Sequence, residues 1–279
     1  MRPRSRLPAR ERSGPAAALA AATLCLGAAF LLPAASSAAS TPSSQVHGSS
    51  EFAGYRFSAR RGSLVSESAR LVVPHLDCSG SKRLRDNYYV ELGLGMGNGN
   101  PKSQSGTGAS LDATCTWSAK AGRWSYAYDV IAGASGPSGG PPPRSFRARP
   151  GDVLLFSTGD HGGAIYAKVL DETIHRAATQ RATGAGGLSK GEIGANNLMA
   201  VVLGPGLGSC GPSTTPSGWC PIPPFGSALF SDANVDGRPL QRAPGLRRYF
   251  LEYLPGQESI VTSSIGPGGG RFRCSFRHS

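Results

Sequence analysis

The chain has 279 residues, 39 glycines, 22 prolines, 16% charged residues and a formal net charge of +12, a size that suits one large domain or two small ones. Its basic residues are dispersed. The densest runs, Lys82-Arg83-Leu84-Arg85 and Arg247-Arg248, belong to no nucleic-acid reading motif and mark solvated edges or turns, so nucleic acid is not an expected partner.

The first element is an export signal. Arg2, Arg4, Arg6, Arg10 and Arg12 precede an apolar segment from Ala16 to Leu32, and Ser37-Ala38-Ala39 supplies the small residues that signal peptidase requires. The apolar run is short for a spanning helix, which needs about 20 residues, and it ends in a processing sequence. Residues 1–39 are therefore expected to be removed, and the product to be secreted. That segment holds five arginines and one glutamate, a net +4, so the charge of the remaining 240 residues falls from +12 to +8. No later stretch is long and apolar enough to cross a bilayer as a helix. Ser40–Ser50 reads as a flexible lead-in, and 50–279 as a single domain.

Within that domain the pattern is of strands. Trp124, Tyr126, Tyr128 and Val130 alternate with smaller or polar residues, and a period of two places them on one face of a strand. Further strands are expected at Phe52–Ser58, Ala69–Val73, Asn87–Leu92, Ser110–Thr116, Asp152–Ser157, Ala164–Leu170, Ser227–Phe230, Arg248–Tyr253 and Arg271–Phe276. Helical periodicity is sustained nowhere. Many short strands with abundant Gly and Pro predict an all-β, antiparallel sandwich or barrel. Gly133–Pro143 and Gly204–Pro224 read as surface insertions.

Five cysteines follow the signal. A Cys210–Cys220 bridge would close a Gly/Pro/Ser-rich loop, Cys78 with Cys115 is the next pairing, and Cys274 is left over. No cysteine or histidine spacing fits a metal. Gly93, Gly95, Gly97 and Gly99 lack the spacing of a dinucleotide loop and read as a mobile glycine-rich loop. Asp232-Ala233-Asn234-Val235-Asp236-Gly237 spells half of a calcium loop, but Ala243 stands where a bidentate carboxylate is needed, so an Asx-rich turn is expected. Two Gly-x-Ser-x-Gly spellings, at Gly136 and Gly187, lack the strand and helix of a nucleophile elbow.

Several segments in order resemble the eqolisin, or glutamic peptidase, family. Ser50-Glu51-Phe52-Ala53-Gly54-Tyr55 is similar to its opening Ser-Asn-Trp-Ala-Gly-Tyr strand, Leu71-Val72-Val73-Pro74 to Trp-x-Val-Pro, and Tyr89-Val90-Glu91-Leu92-Gly93 to Trp-Val-Gly-Ile-Asp. Tyr126-Ala127-Tyr128-Asp129, Arg149-Pro150-Gly151-Asp152, Phe225-Gly226-Ser227-Ala228-Leu229-Phe230 and Phe272-x-Cys274-x-Phe276 continue the resemblance to the end of the domain. It implies a concanavalin-like sandwich of two bent antiparallel sheets. It also implies a Glu and a Gln that cleave peptide bonds in acid without metal or organic cofactor, in a monomer acting on polypeptides.

By that resemblance, Gly191-Glu192-Ile193-Gly194-Ala195-Asn196 stands for Ala-Glu-Trp-Ile-Val-Glu and gives Glu192 the catalytic position. Ser103-Gln104-Ser105-Gly106 stands for Leu-Gln-Thr-Gly and makes Gln104 its partner; Thr107-Gly108 is a competing match that puts Gly106 there. Glu192 would take a proton from the attacking water and return it to the leaving nitrogen, while Gln104 donates to the oxyanion. Phe52, Leu71, Glu91, Tyr126 and Tyr128 are the expected cleft residues. Family tryptophans are replaced by Phe52, Leu71 and Ile193, so a sandwich that binds a peptide, wall or surface ligand without cleaving it is the competing expectation.

Overall fold

The computed structural model describes residues 45–49, 52–79, 88–99, 105–136, 139–183, 187–196, 222–254 and 257–277. Residues 1–39, expected to be an export signal, and Gln104, Cys210 and Cys220 lie outside the described residues.

The described chain forms β1 (Val46–Ser49), β2 (Phe52–Ser58), β3 (Ser66–Val72), β4 (Tyr88–Gly97), β5 (Gly106–Ser118), β6 (Arg123–Ser135), β7 (Arg144–Arg147), β8 (Val153–His161), β9 (Ala164–Asp171), β10 (Arg176–Thr183), β11 (Lys190–Asn196), β12 (Ser227–Val235), β13 (Arg238–Pro239), β14 (Arg247–Leu254), β15 (Gln257–Thr262) and β16 (Phe272–Phe276). The all-β expectation holds. The strands belong to one continuous sheet, ordered β10-β9-β8-β3-β12-β16-β15-β14-β2-β11-β4-β5-β6-β7, with β1 beside β14 and β13 beside β12. Every pairing is antiparallel except that of β1 with β14. The sheet folds over so that β4, β5 and β6 lie against β8, β9 and β10, and its end strands β7 and β10 meet, which gives a flattened, nearly closed barrel. No helix among the described residues is long and apolar enough to cross a membrane.

Alternation explains the layers. Ala53, Tyr55 and Phe57 of β2, Ile193 and Ala195 of β11, Val90, Leu92 and Leu94 of β4, Leu111 and Ala113 of β5, and Tyr128 and Val130 of β6 face inward and are buried together. They meet Ala69, Leu71, Leu154, Phe156, Ile165 and Val169 from the opposite layer. Full burial of each large apolar side chain contributes roughly 1.5–3 kcal/mol.

Two local readings change, and an expected turn is located. The glycine run is not a mobile loop, because Gly93, Gly95 and Gly97 are the even positions of β4, whose odd positions carry the apolar residues that bury it. Val46–Ser49, inside the expected lead-in, pairs with β14. The calcium-like spelling closes β12 with Asp232–Val235 and turns into β13 at Asp236-Gly237, which take φ of 51° and 71°; Asp236 Oδ1 accepts from the amides of Val65 and Ser66 at 2.8 Å. Cys78 is bridged to Cys115, and Cys274 is buried and unbridged.

Candidate functional site

The outer face of β14, β2, β11, β4 and β5 is concave, and its register fixes which side chains share it. Glu192 of β11 pairs with Arg56 of β2 on one side and with Gly95 of β4 on the other; Gly95 pairs in turn with Gly108 of β5, and Arg56 with Arg247 of β14. Along this row the side chains are Arg247, Arg56 and Glu192, followed by two bare glycines. A groove of about 1010 Å³ results, with Arg56, Glu192, Lys190, Arg247 and Tyr249 along one side and Gly95, Gly97 and Gly106 as its floor.

Arg56 Nε donates to Glu192 Oε2 at 3.0 Å, and the two side chains keep 35% and 31% of their surface exposed, enough for a bound molecule to reach both. The guanidinium lies over the Phe52 ring at 4.7 Å and the Tyr249 ring at 5.2 Å, so aromatic faces hold it while its Nε orients the carboxylate.

A second group of carboxyls occupies the same face further along the strands. Glu91 of β4 is the register partner of Asp112 of β5. Burial first, and Asp112 second, raise Glu91 above the ordinary carboxylate range, with Glu192 adding to the rise; burial likewise raises Asp112, against hydrogen bonds from Tyr89 and Ser110. Ser110 Oγ donates to Asp112 Oδ1 at 3.2 Å. Beneath the groove, Glu67 of β3 is 1% exposed; its Oε1 accepts from Thr158 Oγ1 at 2.9 Å and its Oε2 has no hydrogen-bond partner among the described residues. Burial drives its pKa well above the usual value. Among the described residues no group of three or more His, Cys, Asp or Glu is placed to hold a metal ion.

Of the residues expected from the sequence, the structure brings Glu192, Phe52 and Glu91 to this face. Leu71 is fully buried in the opposite layer, and Tyr126 and Tyr128 lie on the core face of β6, since it is the odd-numbered residues of that strand that share the side of Glu192. Tyr128 is buried with its hydroxyl accepting from the Leu76 amide at 3.0 Å, and Tyr126 is 59% exposed where the strand projects past the covering layer. These three are therefore corrected from cleft to core or rim. Gly106, the competing match for the family glutamine, lines the groove and offers no side chain. Arg56 and Tyr249 are the site residues that sequence reasoning missed. Alternation in β2 would have placed Arg56 beside Phe52, but only the pairing of β2 with β11 and β14 puts it between Glu192 and Tyr249.

Fold and site together define an all-β protein with a glycine-floored groove crossed by one arginine–glutamate pair. No protein-family model matches the sequence, and no curated protein matches it. Among solved structures the chain is similar to Scytalido-glutamic peptidase, determined with a peptide-based transition state analog: the TM-score is 0.54 at 13% identity, covering 82% of this chain and 98% of that one. That distant likeness is one of fold. Tailspike protein 2 of Escherichia coli O157:H7 bacteriophage CAB120 (TM-score 0.28, 11% identity, 66% of this chain and 20% of that one) and Caenorhabditis elegans galectin LEC-6 (0.23, 12%, 53% and 91%) align too loosely to bear on the fold.

Proposed function

We propose that this protein is a secreted acid endopeptidase, a divergent relative of the glutamic peptidases, in which Glu192 activates the water that attacks a peptide bond. The observation that carries this reading is the position of Glu192, partly exposed in a groove of about 1010 Å³, on a fold shared with a glutamic peptidase over 98% of that peptidase's length. In this reading the folded-over sheet is the two-layered concanavalin-like sandwich, residues 1–39 are the secretory signal, and the monomer needs no cofactor. A glycine floor, its backbone groups engaged in the sheet ladders, carries no side chains and lets a substrate strand approach closely and lie flat. Glu192 takes a proton from water as the C–O bond forms and gives it to the nitrogen as the C–N bond breaks.

The bare floor at Gly106 and Gly108 favours a second reading, a groove that holds polypeptide without cutting it. Purified protein and its Glu192→Gln variant, assayed on a denatured protein across pH 2–7, separate the two. The first reading expects cleavage in acid, with kcat lower in the variant by on the order of 10²- to 10⁴-fold. Equal activity in the variant removes Glu192 from the mechanism. Saturable binding with no cleavage by the wild type establishes the second reading.

A further inference from the structure

Arg56 is built into the groove in a way that a surface ion pair does not need. It is the register partner of Glu192, it is packed over Phe52 and Tyr249, and it uses Nε for the carboxylate. Among the described residues its two Nη groups have no hydrogen-bond partner, so a fixed pair of charged donors is left beside the carboxylate that the proposed mechanism uses as a base. On the far side of Glu192 the paired strand positions at its level are Gly95 and Gly108, which have no side chain to reach a carbonyl oxygen held by Arg56. Thr107 points away, its hydroxyl donating to the Tyr166 carbonyl at 2.7 Å.

We propose that Arg56 is the electrophilic member of the site, its Nη groups receiving the oxygen of the scissile carbonyl while its Nε holds Glu192. The inference rests on the acid-endopeptidase reading and assigns to a guanidinium the part that the resemblance gives to an amide. Water oxygen bonds to the carbonyl carbon and its proton passes to Glu192. The π electrons move to the carbonyl oxygen, whose negative charge the Nη–H groups bind; when they return, the C–N bond breaks and Glu192 passes its proton to the departing nitrogen. Charge-assisted donors fixed before the reaction stabilise the oxyanion more than the ground-state carbonyl, so the effect falls on kcat.

The test compares wild type, Arg56→Gln and Arg56→Lys on a peptide substrate at the acid optimum, with folding followed by circular dichroism and Tm. Arg56→Gln is expected to lower kcat by on the order of 10²-fold with KM little changed, and Arg56→Lys to recover part of the loss. A second measurement uses a peptide phosphinate, whose anionic oxygens imitate the tetrahedral intermediate: Glu192→Gln should keep a preference for it over the parent peptide, and Glu192→Gln/Arg56→Gln should lose it. That double variant carries no unpaired charge, so it reports even where Arg56→Gln fails to fold. Activity and phosphinate preference unchanged without Arg56, in an active wild type, overturn this assignment alone. A wild type that cleaves nothing overturns the peptidase reading and this inference with it.

Discussion

Two glycines of the groove face, one strand apart, respond in opposite ways to an added methyl group. A Cβ on Gly194 would lie 2.2 Å from the Ala53 carbonyl oxygen and 2.7 Å from the Cα of Gly54, both backbone, so β2 and β11 would have to move apart. Gly194→Ala is expected to cost about 1–3 kcal/mol, read as a lower midpoint in urea denaturation. A Cβ on Gly95 meets nothing closer than the Thr107 carbonyl oxygen at 3.4 Å. Gly95→Ala should leave stability within about 0.5 kcal/mol while it narrows the floor beside Glu192 and raises KM for a polypeptide. Spacing alone made Gly93, Gly95 and Gly97 look like a loop, because a strand with one glycine face has no polar residues to complete its alternation. What reveals the strand is the partner face, Val90, Leu92, Leu94 and Met96, which packs into the core.

At the scale of elements, the disulfide fastens the otherwise irregular stretch after β3 to the middle of β5. Val73 and Asp77 take backbone partners in Asp152 and Pro224, and Leu76 leans on Tyr128, so this stretch caps the core at one end of the barrel. The 37-residue separation of Cys78 and Cys115 makes the cross-link worth about 3–4 kcal/mol through restriction of the unfolded chain. Replacing both by alanine should lower the unfolding free energy by about that amount, measured under conditions where Cys274 stays reduced. The strands legible in the sequence were those with an apolar, alternating face, such as β2, β6, β9 and β16. Apart from the buried Phe146, Arg144–Arg147 of β7 and Arg176–Thr183 of β10 carry only Arg, Ser, Ala, Thr and Gln, and become strands because β6 and β9 offer them a free edge. Similarly, Glu192 could be reached through a resemblance of short motifs, but Arg56 could not, since no periodicity tells which strand lies beside which.

Over the whole molecule, three carboxyls share one electrostatic tendency. Glu67, Glu91 and Asp112 all have folded pKa values above their unfolded ones, burial being the first cause in each case. In the interval between the two values the folded chain holds more protons than the unfolded chain, so unfolding becomes easier as pH rises. Their contribution is complete below about pH 4, where unfolded carboxyls are themselves protonated, and is lost as pH climbs through the raised folded values. Tm is therefore expected to be higher at pH 4–5 than at pH 8 in scanning calorimetry. Glu67→Gln, which keeps the hydrogen bond with Thr158 without an ionisable group, should flatten that dependence; an unchanged slope would show that Glu67 does not contribute to it. Acid tolerance in this form follows from the fold and holds whichever reading of the groove is correct.

The order of strands in the sheet also sets a timetable. Tyr55 of β2 donates its hydroxyl to the Ser263 carbonyl across a separation of 208 residues, and the Cys274 thiol reaches the Ala53 carbonyl across 221. β2 lies at the middle of the sheet, yet its neighbours β11 and β14 come from the far half of the polypeptide. Such long-range pairings must close large loops before they gain any contact, and they place a protein among the slow folders, on the scale of milliseconds to seconds. A ribosome must have made the chain as far as β14 before β2 can be enclosed on both sides. Until then its middle stays open, available to a chaperone and still able to be threaded through a narrow pore.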